Sequence, residues 1–359
     1  MTDHLNECHG NRFPGGVTKA NSNSPVDAQR DQRAFERLAA PLRREIRVHC
    51  YRMLGSVHDA EDLVQDTYLR AWRSFRSFEG GSFRAWLYRI ATNACLNALE
   101  SRKLARRWMP YQRGPASTAP PDGVPATEVP WLEPYPDSNL ESVTEDSLNP
   151  EARFASHEAV QLAFVASIQR LPPRQRAALL LCDVLGWAAA EVAALLGGSA
   201  ASINSALQRA RETLAKYYPE DRPRIALKPD ADQQELLGRY LKAWEGHDLD
   251  GFVALLKEDA DVAMPPWAQW YTGREAIRRL FAWAWAMCRG VRLVPTVANG
   301  QPAFAVYERS ETDGSYVPHA IQVLTLERDR IAALTIFLVT PGSQLFQSFG
   351  LPLTPSAGE

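Results

Sequence analysis

The fold of this chain depends on the stretch SFRAWLYRIATNACLNALESRKLARR, which runs from Ser82 to Arg107. Apolar residues recur in it at the spacing of an amphipathic helix, and this face consists of Phe83, Leu87, Ile90, Ala94 and Ala98. We expect that face to pack into a core, with Trp86 and Ala91 at its margins. The stretch therefore predicts one long helix in a helical domain.

The opposite face of this helix is basic and aromatic. It carries Arg84, Tyr88, Arg89, Thr92 and Asn93, and the helix continues into Arg102, Lys103, Arg106 and Arg107. Guanidinium groups attract phosphates and an exposed ring can stack on an unpaired base, so the pattern is typical of a nucleic-acid surface. A solvated basic face with one exposed tyrosine is the alternative, and the helix alone favours neither interpretation.

Composition indicates a multidomain globular protein of 359 residues with a net charge of −2. Its charge is unevenly distributed. Residues 82–107 hold six Lys or Arg against one Glu, whereas residues 109–151 hold eight Asp or Glu against Arg113 alone. The five cysteines form no C-x-x-C pair, and no membrane-length apolar run or signal peptide is present, so we expect a reduced, cytoplasmic protein without a metal site or a cofactor.

Two further elements precede the long helix. A helix is predicted from about Asp31 to Met53, and Asp59 is predicted to cap a second helix from Ala60 to Ser74. The second helix should bury Val64, Tyr68, Ala71, Trp72 and Phe75. A loop with paired glycines follows, and glycine allows the backbone to approach a ligand closely.

These residues resemble a known family. DAEDLVQDTYLRAW at 59–72 and FEGGSFRAWLYRIATNACLN at 78–97 closely resemble region two of RNA polymerase sigma factors of the extracytoplasmic-function (ECF) group. The resemblance implies a docking face for the clamp helices of the largest polymerase subunit, formed by Asp62, Leu63, Gln65, Asp66 and Leu69. It also implies a loop that holds a flipped base of the minus-ten element, formed by Phe78, Gly80, Gly81 and Ser82. Beside this loop, Arg84, Tyr88 and Asn93 would lie next to the single strand.

A second helical domain is predicted after an acidic, proline-rich linker in which we expect no packed element. The stretch from Leu171 to Tyr218 has the pattern of a helix-turn-helix with a glycine turn, and Ser199 is predicted to cap its last helix. The exposed face of that helix should carry Ser202, Asn204, Ser205, Gln208, Arg209, Arg211 and Glu212, which suit base edges and phosphates. The segment resembles sigma region four, which implies contacts to the minus-thirty-five element and the polymerase flap.

The last 140 residues predict an α+β domain. Helices come first, and four strand-like runs follow at Val291–Ala298, Ala303–Ser310, Tyr316–Glu327 and Ile331–Val339. The order and local motifs resemble the SnoaL-like domain of the ketosteroid-isomerase-type cone superfamily. Asp261, Tyr271 and His319 are the titratable residues that we place near a ligand pocket, although no spacing indicates that they converge. We predict no catalytic residues and interpret the domain as an intramolecular regulator.

The resulting division of the chain has seven parts. They are a disordered tail (1–27), sigma region two (28–108), the acidic linker (109–149), sigma region four (150–218), a short linker (219–230), the SnoaL-like domain (231–340) and a C-terminal tail (341–359). We predict an alternative sigma factor whose partners are core RNA polymerase and promoter DNA. A separate anti-sigma factor and a small-molecule ligand stay open as partners, and no membrane is implied. The alternatives are a one-component helix-turn-helix regulator and a fusion with a catalytically active SnoaL-like domain.

Overall fold

The computed structural model describes residues 25–101, 106–139, 158–218, 229–288 and 290–355. Most of the predicted N-terminal tail and the last ten residues of the acidic linker, 140–149, lie outside these residues. The first helical domain (residues 25–108) consists of α1 (Pro25–Ala39), α2 (Arg43–Leu54), α3 (Val57–Ser74) and α4 (Phe83–Ser101). Short 3-10 turns at Ala40–Leu42 and Phe75–Ser77 join these helices.

Local sequence explains the boundaries of these helices. Gly55 ends α2 with a φ of 70°, a conformation that glycine adopts without a Cβ penalty. Ser56 then caps α3, because its hydroxyl accepts a hydrogen bond from the Asp59 backbone N–H at 3.1 Å. The core forms around Phe35, whose ring lies 5.4–6.3 Å from the rings of Tyr68, Trp72, Phe75 and Phe83.

The second helical domain (residues 158–218) consists of α5 (Leu162–Ile168), α6 (Pro173–Leu179), α7 (Ala189–Leu196) and α8 (Ala200–Tyr217). Helix α6 runs into one π-helical turn, Leu180–Val184. The turn between α7 and α8 contains Gly197 with a φ of 74°, and the Ser199 hydroxyl caps α8. The predicted helix-turn-helix is therefore formed by α7 and α8.

The C-terminal domain (residues 229–355) packs helices against one mixed sheet. Its helices are α9 (Ala231–Glu245), α10 (Leu249–Ala254), α11 (Arg274–Met287) and α12 (Leu345–Ser348). Its strands are β1 (Leu256–Ala263), β2 (Trp270–Thr272), β3 (Val291–Ala298), β4 (Gln301–Arg309), β5 (Tyr316–Glu327) and β6 (Arg330–Leu338). They lie in the order β2-β1-β6-β5-β4-β3, and β1 and β6 form its parallel pair.

The two faces of this sheet pack into different hydrophobic cores. Phe304 and Val306 on β4 belong to a core shared with the helices of the same domain, where Trp244 and Phe281 also lie. The alternate residues Ala303, Ala305 and Tyr307 belong instead to a core that is continuous with both helical domains. The C-terminal domain is thus packed against the helical domains through the outer face of its sheet. Within the residues that the structure describes, no helix is both long and apolar enough to span a bilayer.

The expectation of an unpacked linker is wrong for residues 109–139. Met109, Leu132 and Tyr135 are almost completely buried, and short backbone bridges join Trp108 to Trp131 and Pro136 to Ala298. The segment has no long helix or strand, as its prolines predicted, but its aromatic and aliphatic residues fill the space between domains. Proline prevented regular structure here without preventing burial.

Candidate functional site

Helix α3 presents the predicted docking residues on its outer face. Asp62 and Gln65 are exposed, and Leu69 is 55% exposed although it is a large aliphatic residue. Leu63 and Asp66 are half-buried, and Asp66 pairs with Arg70 one turn later at 2.7 Å. The opposite face buries Ala60, Val64, Thr67 and Ala71. The sequence pattern therefore placed the polar face of α3 correctly.

Trp72 is a correction to the predicted stripe of buried residues. Its side chain is 38% exposed, although the centroid of its ring lies 5.5 Å from that of Phe35 and 6.4 Å from that of Phe75. Leu69 and Trp72 are three residues apart and so lie on the same side of α3. The outer face of α3 consequently offers apolar area among polar groups, which is typical of a protein docking surface.

The glycine loop at 78–82 has the form that the sequence predicted. Gly80 and Gly81 have φ values of 101° and 87°, which other residues rarely adopt, and no atom lies within 4 Å of a Cβ added at either position. Phe78 packs against Trp86 with ring centroids 5.2 Å apart. The Ser82 hydroxyl accepts a hydrogen bond from the Ala85 backbone N–H at 3.2 Å, so it caps α4.

The predicted exposure of Tyr88 and Thr92 is wrong in this structure. Tyr88 is 1% exposed, and its hydroxyl donates a hydrogen bond to Glu45 at 3.2 Å. Thr92 is buried and hydrogen bonds to His49 at 2.9 Å. Burial is the main reason why the pKa of His49 falls to about 3, with Arg52 and Arg84 adding to the effect.

The second helical domain covers this face of α4. Helices α6 and α7 pack against α4, an arrangement that we call the closed arrangement. Trp187 packs on Tyr88 with ring centroids 5.3 Å apart, and the Arg84 guanidinium lies near both rings while it pairs with Glu45 at 2.8 Å. Arg89 stays exposed and Asn93 is half-buried. The sequence pattern of α4 could not reveal this cover, because it comes from a residue about a hundred positions later.

A cleft of about 520 Å³ separates the glycine loop from α7 in the closed arrangement. The first helical domain contributes Phe78, Gly80, Ser82, Arg84, Trp86 and Arg89 among its lining residues, and the second contributes Trp187, Glu191, Ala194 and Leu195. Of the residues predicted around the flipped base, Phe78, Gly80, Ser82 and Arg84 therefore line an open space, whereas Gly81, Tyr88 and Asn93 are not among its lining residues. That space is walled on one side by the second helical domain.

The exposed face of α8 carries the residues predicted to contact DNA. All of the following are exposed: Ser199, Ser202, Asn204, Ser205, Gln208, Arg209 and Arg211. Gln208 donates to Glu212 at 3.0 Å, and Arg211 forms an ion pair with Asp183 at 2.6 Å. Ile203, Leu207 and Ala210 are buried on the opposite face. The predicted periodicity of α8 is correct at each of these positions.

Asn299, which the sequence analysis did not select, joins all the domains. It lies in the β3–β4 turn with a φ of 56° and is completely buried. Its side-chain oxygen accepts from the Tyr135 backbone N–H at 2.8 Å. Its amide nitrogen donates to the Tyr51 hydroxyl at 2.9 Å and to the Val160 carbonyl at 2.7 Å. One turn of the C-terminal domain thereby holds the linker and both helical domains.

Glu133 ties the linker to the start of α3. Its carboxylate accepts from the Ser56 hydroxyl at 3.0 Å, from the Val57 backbone N–H at 2.8 Å and from the His58 ring at 3.1 Å. The hydrogen bond to Glu133 raises the pKa of His58 above its usual value. Burial opposes ionisation of Glu133, but the contacts with His58, Arg107 and Val57 prevail and lower its pKa.

We expect Glu133→Gln to reduce the free energy of unfolding by about 1–2 kcal/mol, since a charged cap of α3 is lost. The difference from the wild type should be largest between the usual pKa values of Glu, 4.5, and His, 6.5. It should shrink as acid protonates Glu133 below its lowered pKa and as base deprotonates His58 above its raised pKa. Urea denaturation of both proteins at a series of pH values measures this pH dependence. Glu128→Gln, at an exposed carboxylate of the same linker, is the control, and an equal loss in both variants would contradict the assignment.

The three residues predicted near a ligand pocket do not converge. Asp261 pairs across the β1–β2 ladder with Thr272, while Tyr271 pairs with Val262, so Asp261 and Tyr271 point to opposite faces of the sheet. Tyr271 is completely buried, and burial raises its pKa to about 12. His319 on β5 pairs with Glu308 at 2.9 Å, which lowers the pKa of Glu308. This geometry brings together no acid–base pair from the three.

Comparison with known proteins gives the same three parts. Family models match Sigma-70 region 2 at residues 38–105, Sigma-70 region 4 at residues 161–214 and a SnoaL-like domain at residues 237–334. The ECF RNA polymerase sigma factor SigG of Mycobacterium tuberculosis is 45% identical over 336 residues, which span 91% of this chain and 86% of the relative. SigE of Mycolicibacterium smegmatis is 32% identical over 46% of this chain and 54% of that protein.

The crystal structure of the M. tuberculosis ECF sigma factor SigJ matches 87% of this chain and 98% of its own length, with a TM-score of 0.54 and 23% identity. This likeness supports the fold, with two helical sigma domains followed by a domain that contains a sheet. The chain is thus an RNA polymerase sigma factor by class. More particularly, it belongs to the extracytoplasmic-function sigma factors and carries a C-terminal SnoaL-like domain.

Proposed function

We propose that this protein is a dissociable, cytoplasmic initiation subunit that binds core RNA polymerase, recognises promoter DNA and promotes strand opening without catalysis of its own. The observation that carries the proposal is the outer face of α3, where Leu69 is 55% exposed beside Asp62 and Gln65. An exposed leucine in such a setting favours a protein partner over solvent. A helix-turn-helix regulator that acts without polymerase has no use for this face.

The glycine loop and α8 supply the DNA contacts in this proposal. Phe78 and Trp86 offer aromatic surface beside the cleft, and stacking on such rings offsets the cost of extruding a base. Asn204 and Gln208 are exposed on α8, where their amides can pair with base edges, and Arg209 can hold phosphate. Tyr88 and Arg84 join the single-strand surface once Trp187 leaves them.

We infer that the C-terminal domain modulates initiation by stabilising the closed arrangement. The hydrogen bonds of Asn299 join the linker to both helical domains, and Trp187 covers α4 in the same arrangement. A sigma factor must separate its two DNA-binding domains to reach two promoter elements at once, so contacts that hold them together oppose promoter binding. An anti-sigma factor or a small ligand would act by shifting this equilibrium.

We expect Leu69→Glu to weaken binding to core RNA polymerase at least about tenfold, since it places a charge at the centre of a desolvated contact. Titration of fluorescently labelled protein with core polymerase measures the dissociation constant. Leu353→Glu is a matched control, because Leu353 is also 55% exposed but lies near the C-terminus, in the C-terminal domain. Equal affinities of the two variants would remove α3 as the docking face.

A further inference from the structure

Three arginines, Arg106, Arg113 and Arg170, lie on segments that adjoin where the first helical domain, the linker and the second helical domain join. Arg106 lies over the Trp108 ring, with its guanidinium carbon 3.6 Å from the ring centroid, and Arg113 lies 5.5 Å from the same centroid. Arg170, between α5 and α6, lies 3.9 Å from the centroid of the Tyr217 ring. Among the described residues, none of the three forms an ion pair with Asp or Glu.

Several arginines elsewhere in the helical domains are paired with carboxylates, whereas others, such as Arg89 and Arg209, are simply exposed to solvent. Arg107, the next residue after Arg106, pairs with Asp59, and Arg211 near the end of α8 pairs with Asp183. By contrast, the Nε and Nη2 atoms of Arg106 are buried and have no hydrogen-bond partner in the described part of the chain. Gln112, the neighbour of Arg113, donates to the carbonyl of Ala166, four residues before Arg170, and burial followed by the charge of Arg170 lowers the pKa of Arg106. Such a cluster is stabilised by an anion.

The aromatic rings give the cluster a fixed geometry. A guanidinium stacked on an indole or phenol ring keeps its N–H donors free in the plane of the group, where they can bind two oxygens at once. Arg106 and Arg170 are half-buried and Arg113 is exposed, so solvent reaches the cluster from the side of Arg113, whereas the Nε and Nη2 atoms of Arg106 are covered in this structure. Paired planar donors of this kind suit a tetrahedral phosphate.

We propose that Arg106, Arg113 and Arg170 form a phosphate-binding site that is complete only in the closed arrangement. Arg106 and Arg113 follow the first helical domain, whereas Arg170 belongs to the second, and Gln112 links the two by donating to the Ala166 carbonyl at 3.0 Å. A phosphate bound by all three therefore bridges the domains and stabilises the closed arrangement. The phosphate can come from a free anion such as pyrophosphate or from a nucleic-acid backbone.

Isothermal titration calorimetry of the full chain with sodium pyrophosphate, at an ionic strength held constant with sodium chloride, tests the proposal. We expect one saturable site, and Arg170→Gln should weaken it at least about tenfold because a bidentate, charge-assisted contact is lost. Arg239→Gln is the matched control, since Arg239 is an exposed arginine of the C-terminal domain without an ion pair among the described residues. In the second arm of the experiment, a short single-stranded thymidine oligonucleotide is titrated in place of pyrophosphate.

The two arms separate the sources of the phosphate. Binding of pyrophosphate that depends on Arg170 identifies a free-anion site, and binding of the oligonucleotide alone with the same dependence identifies a backbone site. Arg113→Gln, at an exposed side chain, replaces Arg170→Gln if the latter does not melt cooperatively. The absence of saturable binding in both arms would overturn the proposal, and so would equal affinities of the wild type and the arginine variants.

Discussion

Asn299→Ala is expected to lower the free energy of unfolding by about 3 kcal/mol or more. The change leaves the Tyr135 N–H and the Val160 carbonyl without this partner, and each such orphaned group costs about 1–3 kcal/mol. The Tyr51 hydroxyl also loses the donor of one hydrogen bond, although it keeps its own bond to the Glu133 carbonyl. Alanine also tolerates the positive φ at this turn less well than asparagine does. Chemical denaturation of the full chain measures the loss.

A variant in the β5–β6 turn controls for the effect of placing alanine at a positive φ. Arg328 has a φ of 55°, almost the same as that of Asn299, but its side chain is exposed. Arg328→Ala therefore carries the same turn conformation without the buried hydrogen bonds. We also expect faster amide hydrogen exchange in α4 of Asn299→Ala, because the closed arrangement is loosened. Equal stabilities of the two alanine variants would contradict the role of Asn299 as the junction of the domains.

Arg176→Met is expected to lower the free energy of unfolding by about 3–5 kcal/mol. Arg176 is 1% exposed, and burial lowers its pKa to about 9. Its guanidinium donates to the carbonyls of Ile168, Gln169 and Leu171 in the second helical domain and to the Met53 carbonyl of the first. The side chain thus links the two domains directly through hydrogen bonds. Methionine fills a similar volume but cannot donate to these carbonyls.

The comparison variant for Arg176 is Arg174→Met. Arg174 is exposed and donates to the carbonyls of Leu196 and Gly197, which both belong to the second helical domain, so its replacement breaks no bond between domains. Its replacement should change the free energy of unfolding by less than about 1 kcal/mol. Denaturation of both variants at one pH gives the difference. A loss confined to Arg174→Met would show that the bonds of Arg176 do not stabilise the domain interface.

Periodicity predicted those parts of the fold in which a segment's own neighbours decide its burial. The strands Val291–Ala298 and Tyr316–Glu327 have the predicted bounds, and the exposed face of α8 is correct. Strands β1 and β2 were not predicted. Their residues alternate weakly, because β1 carries four charged side chains and β2 is only three residues long.

Contacts between distant segments were beyond prediction from local pattern. Tyr88 was placed on an exposed face because nothing near it in the chain reveals that Trp187 covers it. The linker held a usable signal in Trp131, Leu132 and Tyr135, since a truly solvated segment rarely carries such apolar residues together. The predicted strands Val291–Ala298 and Ala303–Ser310 implied a turn between them, but only the tertiary structure reveals that this turn inserts between domains.

Run-off transcription on genomic promoter fragments tests the central claim most directly, with core RNA polymerase alone and with the full chain added. We predict transcripts that require the added protein and that are lost with Leu69→Glu but retained with Leu353→Glu. Failure of the well-folded wild-type chain to support transcription by a core polymerase that is active with another sigma factor would contradict the claim. It would favour a regulator that binds DNA without polymerase.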